Sequence, residues 1–338
     1  MHRREFVTGL GSVAAWPLTW PLTWPLTWPT VARAQNRLRL IAVLTNVTEG
    51  DTDERLRLAA FHQTLQQLGW IENSNVRIEY RWSAADNVLM RKYAAELVAM
   101  APDVIFVVGT TTVSMVLQQT RSIPTVFITG ADPVQVGFVE SMAKPGRNAT
   151  GFADFEDTIG SKWLQLLNEL VPSLARVIFL YADSPASLIQ LPAVQRLAAE
   201  TKIHFLPIKV ATAADIVGAF EQYAREAPRV GLIVPPSSVV AVHRNLIIEQ
   251  AARHGLPAIY ANRRYTVDGG LMSYGVDRAD EYRRVASYID RILRGAKAPD
   301  LPVRQPERFE FLLNLKTARA LSLDVPRLLL ARANEVIE

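Results

Sequence analysis

The sequence predicts an α/β protein of two doubly wound lobes, each a parallel sheet with helices on both faces. Short apolar runs alternate with amphipathic stretches along the first half of the mature chain, as expected for buried strands between surface helices. The second half repeats this order, and its strand starts recur about every 27 residues. Connections of this length allow only right-handed crossovers between parallel strands, so each half builds its own sheet.

The first half predicts the order βαβαβαβ. Residues 39–45 form the continuous apolar run of a buried strand, and a helix over 53–68 ends at Gly69. Residues 75–82 alternate with period two, which favours a strand. The remaining elements are a helix over 87–100, a strand over 103–108, a helix over 111–120 and a strand over 124–128.

The second half predicts four more strands separated by helices, and two passages between the lobes. Its strands cover 176–181, 203–210, 230–234 and 258–260, and its helices cover 187–201, 213–226 and 240–254. Residues 129–157, rich in Gly, Asp and Pro, predict the first passage, and residues 272–275 the second. The sequence then predicts a helix over 280–294, a stop and extended segment from 295, and helices over 311–321 and 327–336. Pattern alone does not decide which lobe these last elements join.

Length and composition limit the class of protein. The chain has 338 residues, and a predicted export signal of 34 leaves 304 (338 − 34), enough for two domains at roughly 150 residues each. Lys and Arg number 37 against 33 Asp and Glu, and without the signal the net charge falls from +4 to about +2, which does not support nucleic-acid binding. The absence of cysteine excludes disulfides, thiolate metal ligands, a cysteine nucleophile and a lipid-anchored amino-terminal cysteine.

The amino terminus predicts a twin-arginine export signal. Arg3 and Arg4 precede a weakly apolar stretch, and the small residues around Arg33 predict cleavage after Ala34. The tetrapeptide Trp-Pro-Leu-Thr repeats inside this segment, and its prolines break any membrane-spanning helix. A soluble protein with a disordered amino terminus is the alternative. We therefore predict a periplasmic protein.

Signatures of catalysis are absent from the sequence. It contains no G-x-S-x-G elbow, no phosphate-binding P-loop, no H-E-x-x-H and no complete G-x-G-x-x-G. None of the mature histidines has another at the spacing of a local metal site. We predict no catalytic residues, no metal and no cofactor.

Candidate ligand-binding residues follow the strands at their carboxyl ends, where open α/β sheets bind ligands. In the first lobe, Thr110 and Thr111 suit a carboxylate, and Asp132 suits an ammonium group. In the second lobe, Ser184 and Ser237 occupy the corresponding positions. The alternative for these residues is that they only cap the helix that follows.

Two further candidates come from the second lobe. The guanidinium of Arg263 suits a carboxylate. Tyr274 is one of several tyrosines near strand ends and offers a ring on which a ligand can stack. A buried structural tyrosine is the alternative.

Four stretches carry a resemblance to a known family. They are Asp132-Pro133 followed by Pro-Gly-Arg-Asn-Ala-Thr-Gly at 145–151, Gly-Gly-Leu-Met-Ser-Tyr-Gly at 269–275, Asn-Leu-Lys-Thr-Ala-Arg-Ala at 314–320, and the ending over 330–337. From residue 39 to residue 338 the chain resembles the ABC-transporter substrate-binding proteins of the tryptophan/tyrosine type, which have the type I periplasmic-binding-protein fold. It departs from the family at Arg147, where a second glycine is usual, and at Arg264, where an acidic residue is common.

The resemblance implies how the chain is organised and what it does. Lobe 1 is expected to comprise 36–150 and 277–303, and lobe 2 to comprise 151–276 and 304–338, with three crossing segments and hinges near Gly151, Tyr274 and Pro302. The expected function is a non-enzymatic, monomeric periplasmic receptor that captures a small carboxylate-bearing ligand, an amino acid or an aromatic acid, for an ABC permease in the inner membrane. A receptor for a membrane signalling partner, or a hydrolase or transferase on the same type of sheet, is the alternative.

Overall fold

The protein was described from a computed structural model covering residues 38–154, 158–223 and 229–338. The predicted export signal and the last residues of the predicted helix over 213–226 lie outside these ranges. In the part of the chain that is described, no helix has the length and apolar character needed to cross a membrane.

The first lobe contains a five-stranded, fully parallel sheet with the order β2-β1-β3-β4-β5. Its elements are β1 (Arg39–Thr45), α1 (Thr52–Gln67), β2 (Val76–Trp82), α2 (Asn87–Ala99), β3 (Val104–Val108), α3 (Thr110–Gln119), β4 (Thr125–Thr129) and β5 (Ala149–Ala153). A long helix from later in the chain, α11 (Arg278–Leu293), packs against α1 on one face of this sheet.

The second lobe contains a seven-stranded sheet with the order β12-β11-β10-β9-β8-β6-β7. Its first elements are α4 (Ile159–Leu170), β6 (Arg176–Tyr181), α5 (Pro185–Leu188), α6 (Leu191–Glu200), β7 (His204–Lys209), α7 (Ala213–Tyr223), β8 (Val230–Val234), α8 (Ser238–Val242) and α9 (Arg244–Arg253). The others are β9 (Ala258–Tyr260), α10 (Arg263–Val267), β10 (Met272–Val276), β11 (Phe309–Asn314), α12 (Leu315–Ala320), α13 (Arg327–Arg332) and β12 (Glu335–Ile337).

Both sheets are covered on both faces, which explains their continuous apolar strands. In β1, Ile41 and Val43 pack toward α1 and α11, whereas Ala42 and Leu44 pack with α2 and α3 on the other face. The second sheet likewise separates two apolar clusters, one containing Trp163 and the other Phe220. The prediction of two doubly wound lobes is confirmed.

The chain crosses between the sheets three times. It leaves the first sheet after β5, returns from β10 into α11, and crosses again after a short 3₁₀ helix (Ala298–Asp300) to enter β11. Before this last crossing, Arg304 pairs with β5, donating from its N–H to the carbonyl of Gly151 at 3.0 Å and accepting from the N–H of Ala153 at 2.9 Å. The residue boundaries proposed above for the two lobes stay a prediction.

Several predicted elements were wrong in type or extent. Residues 309–314 form β11, antiparallel to β10, and 335–337 form β12, where helices over 311–321 and 327–336 were expected. A short apolar run fits a buried strand as well as a helix, and here sheet pairing decides. Asn334 fixes the pairing, since its Oδ1 accepts from the N–H of Phe311 at 2.7 Å. Strand β5 lies inside the predicted passage 129–157, and the helices expected over 187–201 and 240–254 are each divided in two.

Candidate functional site

A cavity of about 160 Å³ lies between the two lobes, beside the crossing segments. From the first lobe, it is lined by the first two turns of α1. The crossing segments contribute Asp154 and the residues 277–279. The second lobe contributes α4, α5, the start of α10 and β11. The lining residues used below are Asp53, Leu56, Arg57, Asp154, Ile159, Trp163, Ile189, Arg263, Asp277, Arg278, Phe309 and Glu310.

The start of α1 supplies the first charged group. Asp51 caps this helix, its carboxylate accepting from the N–H of Glu54 at 2.8 Å, so the first turn is held with its side chains toward the cleft. Arg57, one turn further, lies 3.5 Å from Oε2 of Glu54. The Tyr282 hydroxyl donates to the same carboxylate, at 2.8 Å from Oε1 and 2.9 Å from Oε2. Burial raises the pKa of Glu54, and the nearby Arg57 and Tyr282 oppose this increase.

The start of α11 supplies the second charged group. Arg278 contacts Oδ2 of Asp154, on the first crossing segment, and its Nη1 lies 3.1 Å from Oε2 of Glu281. The side chains of Asp154 and Glu281 are only 4% and 2% exposed. The second oxygen of each, Asp154 Oδ1 and Glu281 Oε1, is buried and has no hydrogen-bond partner among the described residues. Arg278 therefore ties two crossing segments together but leaves two acceptor atoms unused.

The opposite wall of the cavity is apolar and aromatic. Trp163 of α4 is buried, and its indole N–H donates to the carbonyl of Tyr274 at 2.7 Å. The ring of Phe309 stacks on that of Tyr274 with centroids 5.7 Å apart. Ile159 and Ile189 complete this wall. Such a surface suits a flat apolar group.

The arginine that the second lobe contributes to the lining is already paired. Arg263 donates from Nη1 to Glu310 at 3.0 Å and from Nη2 to Glu335 at 2.7 Å. Its neighbour Arg264 reaches the first lobe, with Nη1 3.9 Å from Oδ1 of Asp53, and this ion pair spans the cleft.

The structure brings one of the seven predicted ligand-binding residues to the cavity lining. Arg263 lies there, and Tyr274 lies directly behind Trp163 and Phe309. Thr110 shares a hydrogen bond of 2.9 Å with Thr129, and Thr111 is exposed at the start of α3.

The other three predicted residues make local hydrogen bonds. Asp132 accepts from the N–H groups of Val134 and Gln135 at 2.9 and 3.2 Å. Ser184 donates to the hydroxyl of Ser187 at 3.1 Å, and Ser237 caps α8. The ligand-binding roles of all seven residues stay predictions.

Sequence reasoning missed the charged residues at the starts of α1 and α11. Acidic residues in a first helical turn are favoured by the helix dipole alone, so Asp53, Glu54 and Glu281 gave no separate signal. Arg57, Asp154 and Arg278 are brought together by the crossing segments, which no local pattern reveals. Across the described ranges, no three His, Cys, Asp or Glu side chains are grouped as a metal site would require.

Two α/β lobes that enclose a cavity beside three crossings define the type I periplasmic-binding-protein fold. A profile of ABC transporter substrate binding proteins matches residues 41–337, and the chain belongs to that family. It is the solute-binding component of an ABC importer.

Several individual proteins are similar to this chain. A "Tyrosine-binding protein" of Clostridioides difficile is 22% identical over 264 residues, covering 78% of this chain and 75% of the relative. An ABC domain from Streptococcus pneumoniae solved in complex with L-Trp is 21% identical, with a TM-score of 0.78 over 89% of this chain and 100% of that one. A conserved domain protein of Vibrio cholerae is 23% identical, with a TM-score of 0.76 over 88% of this chain and 99% of that one.

Proposed function

We propose that this protein is an exported receptor that encloses a small ligand bearing a carboxylate and an aromatic ring, and passes it unaltered to a permease. One observation carries the proposal: the cavity is lined by the guanidinium groups of Arg57 and Arg278 from α1 and α11, and by the rings of Trp163 and Phe309 from the second lobe. Arg57 and Arg278 are suited to a carboxylate. The tyrosine and tryptophan named for the two relatives support the aromatic part of the ligand.

The size of the cavity supports a small ligand. At about 160 Å³ it is a small cavity, and its lining comes from both lobes, so a ligand held in it contacts both. Binding to both walls favours the closed arrangement by differential affinity. We therefore expect hinge closure around the ligand without chemical conversion.

A thermal-shift panel tests the ligand class. The exported protein is heated with L-tyrosine, L-tryptophan, the matching deaminated acids, and a set of neutral sugars as controls. A ligand at about 100 times its Kd stabilises the protein by roughly 2.7 kcal/mol, which raises Tm by a few degrees for a chain of this size. A shift with the sugars and none with the aromatic compounds would overturn the proposed ligand class.

Closure and the absence of chemistry have separate readouts. Small-angle scattering with a bound ligand should show a smaller radius of gyration, and mass analysis of the released ligand should show the compound that was added. An unchanged radius refutes closure, whereas an altered compound refutes the receptor itself.

The proposed periplasmic location depends on residues 1–34. Changing Arg3 and Arg4 to Lys keeps their charge and removes the paired guanidinium groups that the twin-arginine route requires. Export should stop in that variant. Arrival of the mature protein in the periplasm with an unchanged amino terminus would show that another route is used.

A further inference from the structure

A second cavity lies at the other end of the first-lobe sheet from the cavity between the lobes. Its volume is about 480 Å³, against about 160 Å³ for the cavity between the lobes. The amino-terminal ends of parallel strands meet there, since Arg39 begins β1, Asp103 precedes β3 and Asn148 precedes β5. We call it the basal pocket, and its polar lining residues used below are Arg39, Asp103, Arg121, Arg147, Asn148 and Lys297.

Strand β5 and helix α11 each run from one cavity to the other. Asn148 lines the basal pocket and Asp154 lines the cavity between the lobes, at the two ends of β5. At about 3.3 Å per residue, these two positions are roughly 20 Å apart. Helix α11 likewise has Arg278 at one cavity and Leu293 at the other. The basal pocket is therefore a separate site.

Positive charge in the basal pocket exceeds negative charge. The lining has four cations, Arg39, Arg121, Arg147 and Lys297, and one carboxylate, Asp103. Both oxygens of that carboxylate are already used, since Oδ1 accepts from Arg39 at 2.7 Å and Oδ2 accepts from a backbone N–H of β1 at 2.8 Å. Among the residues that the structure describes, the other three cations have no carboxylate partner.

A further carboxylate lies close to the pocket without lining it. A side chain at Gly146 would collide with the carboxylate of Glu140, so Glu140 lies against the loop that leads into β5. When Glu140 is counted with Asp103, the cations still exceed the carboxylates by two (4 − 2).

The helix dipole explains only part of this charge. Arg121 and Lys297 follow the carboxyl ends of α3 and α11, where a cation is favoured without any ligand. Arg39 begins a strand and Arg147 lies in the loop before β5, so the dipole explains neither of them. A concave surface lined mainly by one sign of charge concentrates ions of the opposite sign.

The pocket is held in shape by hydrogen bonds and by the core. Arg147 donates from Nη1 to the carbonyl of Gly137 at 3.0 Å, and Asn148 donates from Nδ2 to the carbonyl of Ile123 at 2.7 Å. The apolar part of the lining includes Ile292 and Leu293 of α11, which are buried in the first-lobe core. The cations of the lining are exposed around this apolar surface.

We infer that the basal pocket is a second binding site, for an anion that carries a phosphate group. A phosphate group offers up to two negative charges and several acceptor oxygens, which suits two or more guanidinium groups. A single carboxylate would leave part of the excess charge unbalanced. Both a free phosphate compound and a lipid headgroup present this chemistry. The inference goes beyond the proposed function, because the cavity between the lobes takes no part in it.

Titration calorimetry with inorganic pyrophosphate at low salt tests the site. The double variant Arg121→Gln/Arg147→Gln should bind about ten- to a hundredfold more weakly than the wild type, because charge-assisted hydrogen bonds are lost. If the wild type does not bind pyrophosphate, the inference is overturned. Lys297→Gln should weaken binding by less, and it provides the readout if the double variant fails to fold.

The double variant Arg55→Gln/Arg91→Gln is the matched control. It removes the same charge from two exposed arginines of the first lobe that lie outside the basal pocket. We expect its affinity for pyrophosphate to stay within about twofold of the wild type, since long-range effects of exposed charges are screened. Equal weakening in the two double variants would show that only net charge matters, and would overturn the inference.

Vesicles distinguish the two sources of the phosphate group. The wild type and both double variants are sedimented with vesicles of phosphatidylglycerol or of phosphatidylcholine. Binding to phosphatidylglycerol that is lost only in Arg121→Gln/Arg147→Gln assigns the pocket to a lipid headgroup. If vesicle binding is absent, or is kept in that variant, pyrophosphate binding that depends on the pocket assigns it to a free phosphate compound.

Discussion

The two walls of the cleft are built from different chemistry. On the side of α1 and α11, the cavity is bordered by paired and buried charges, with Glu54 and Glu281 each about 2% exposed or less. On the side of α4 and β11, it is bordered by an indole, a phenyl ring and aliphatic side chains, next to the ion pair of Arg263 with Glu310. The charged wall fixes the orientation of a ligand, because its hydrogen bonds are directional, and the apolar wall supplies area, which has no preferred direction.

The difference also extends to stability. The aromatic wall is continuous with the core of the second lobe, since Trp163 packs among Leu167, Phe179 and Ile233. The charged wall adjoins the core of the first lobe through Tyr282, which belongs to that apolar cluster and donates a hydrogen bond to Glu54. We expect substitutions in the aromatic wall to lower the stability of the fold, and substitutions of the charged residues to alter mainly binding and the dependence of stability on pH.

The largest effect is expected for Trp163→Ala. Removing a fully buried indole should lower the free energy of unfolding by about 3–5 kcal/mol, through lost burial and the cavity left behind. Trp163→Phe, the matched control, keeps most of the ring and loses the hydrogen bond to Tyr274, for a cost of about 0.5–1.5 kcal/mol. Urea unfolding of the ligand-free protein measures both. Equal stability of the two variants would show that the wall is not part of the core.

The next effect is expected for Arg57→Met. Loss of a charged partner for the ligand carboxylate should weaken binding about 10- to 150-fold. Because the change also leaves Glu54 without its arginine, the double variant with Glu54→Gln separates that contribution from the loss of ligand contact. Arg55→Met, an exposed arginine on the same helix, is the control. Titration calorimetry with L-tryptophan and L-tyrosine measures the affinities, and full affinity in Arg57→Met would show that the carboxylate binds elsewhere.

Glu54→Gln is expected to change how stability varies with pH. Burial raises the pKa of Glu54 above its ordinary 4.5, so the folded protein keeps this proton at pH values where the unfolded chain has released it. The free energy of unfolding of the wild type therefore falls as pH rises from about 4.5 through the raised pKa, by up to roughly 1.4 kcal/mol per pH unit. The variant lacks this fall.

Thermal unfolding between about pH 4.5 and pH 8 tests this expectation. The Tm of Glu54→Gln minus that of the wild type should increase with pH. Glu49→Gln, which neutralises an exposed carboxylate just before α1, serves as the control. A difference that decreases with pH would mean that Arg57 and Tyr282 outweigh burial.

The smallest effect is expected for Arg264→Ala. The pair of Arg264 with Asp53 links the lobes, but both side chains are partly exposed, at 31% and 25%. Exposed ion pairs contribute about 0–1 kcal/mol and weaken with added salt. The variant should lower the Tm slightly at low salt and not at high salt. A large loss of Tm that is independent of salt would show that Arg264 has a structural role within its own lobe, where it also binds Asp268.

Elements that depend on local sequence were predicted correctly, whereas elements that depend on pairing between distant residues were not. Strands β1 to β4 and β6 to β9 were predicted within a residue or two, because each is a short apolar run between turn signals. Strands β11 and β12 were not, because their state depends on pairing with β10 and with each other. The carboxyl ends of strands were identified, yet several candidates there, such as Asp132, also satisfy local N–H groups.

The charged wall shows the same limit in the site. Glu54 and Tyr282 are 228 residues apart in sequence and hydrogen-bonded in the structure. Each looks ordinary alone, one as an acidic residue in a first turn and the other as an apolar-face tyrosine. The two side chains come into contact because α11, which follows the second-lobe strand β10, packs on α1.

The shortest of the three crossings limits how far the two lobes can separate. Strand β10 ends at Val276 and α11 begins at Arg278, so this link spans at most about 7 Å and cannot let the lobes slide apart. The N–H of Asp277 also donates to the carbonyl of Arg308 at 3.0 Å, which ties the neighbouring crossing to it. Just before the link, a side chain at Gly275 would collide with the backbone of Ala261, so β10 packs directly against the segment that follows β9.

We therefore expect motion of one lobe against the other to be angular, with residues far from Asp277 moving more than residues near it. Asp154 and Arg278 lie close to this link. We therefore expect them to keep their arrangement when the cleft opens. The wall formed by α4 and α5 lies farther from the link, so it should move more. We expect the charged groups of a ligand to bind first, at a preformed site. Its ring is then covered when the second lobe closes.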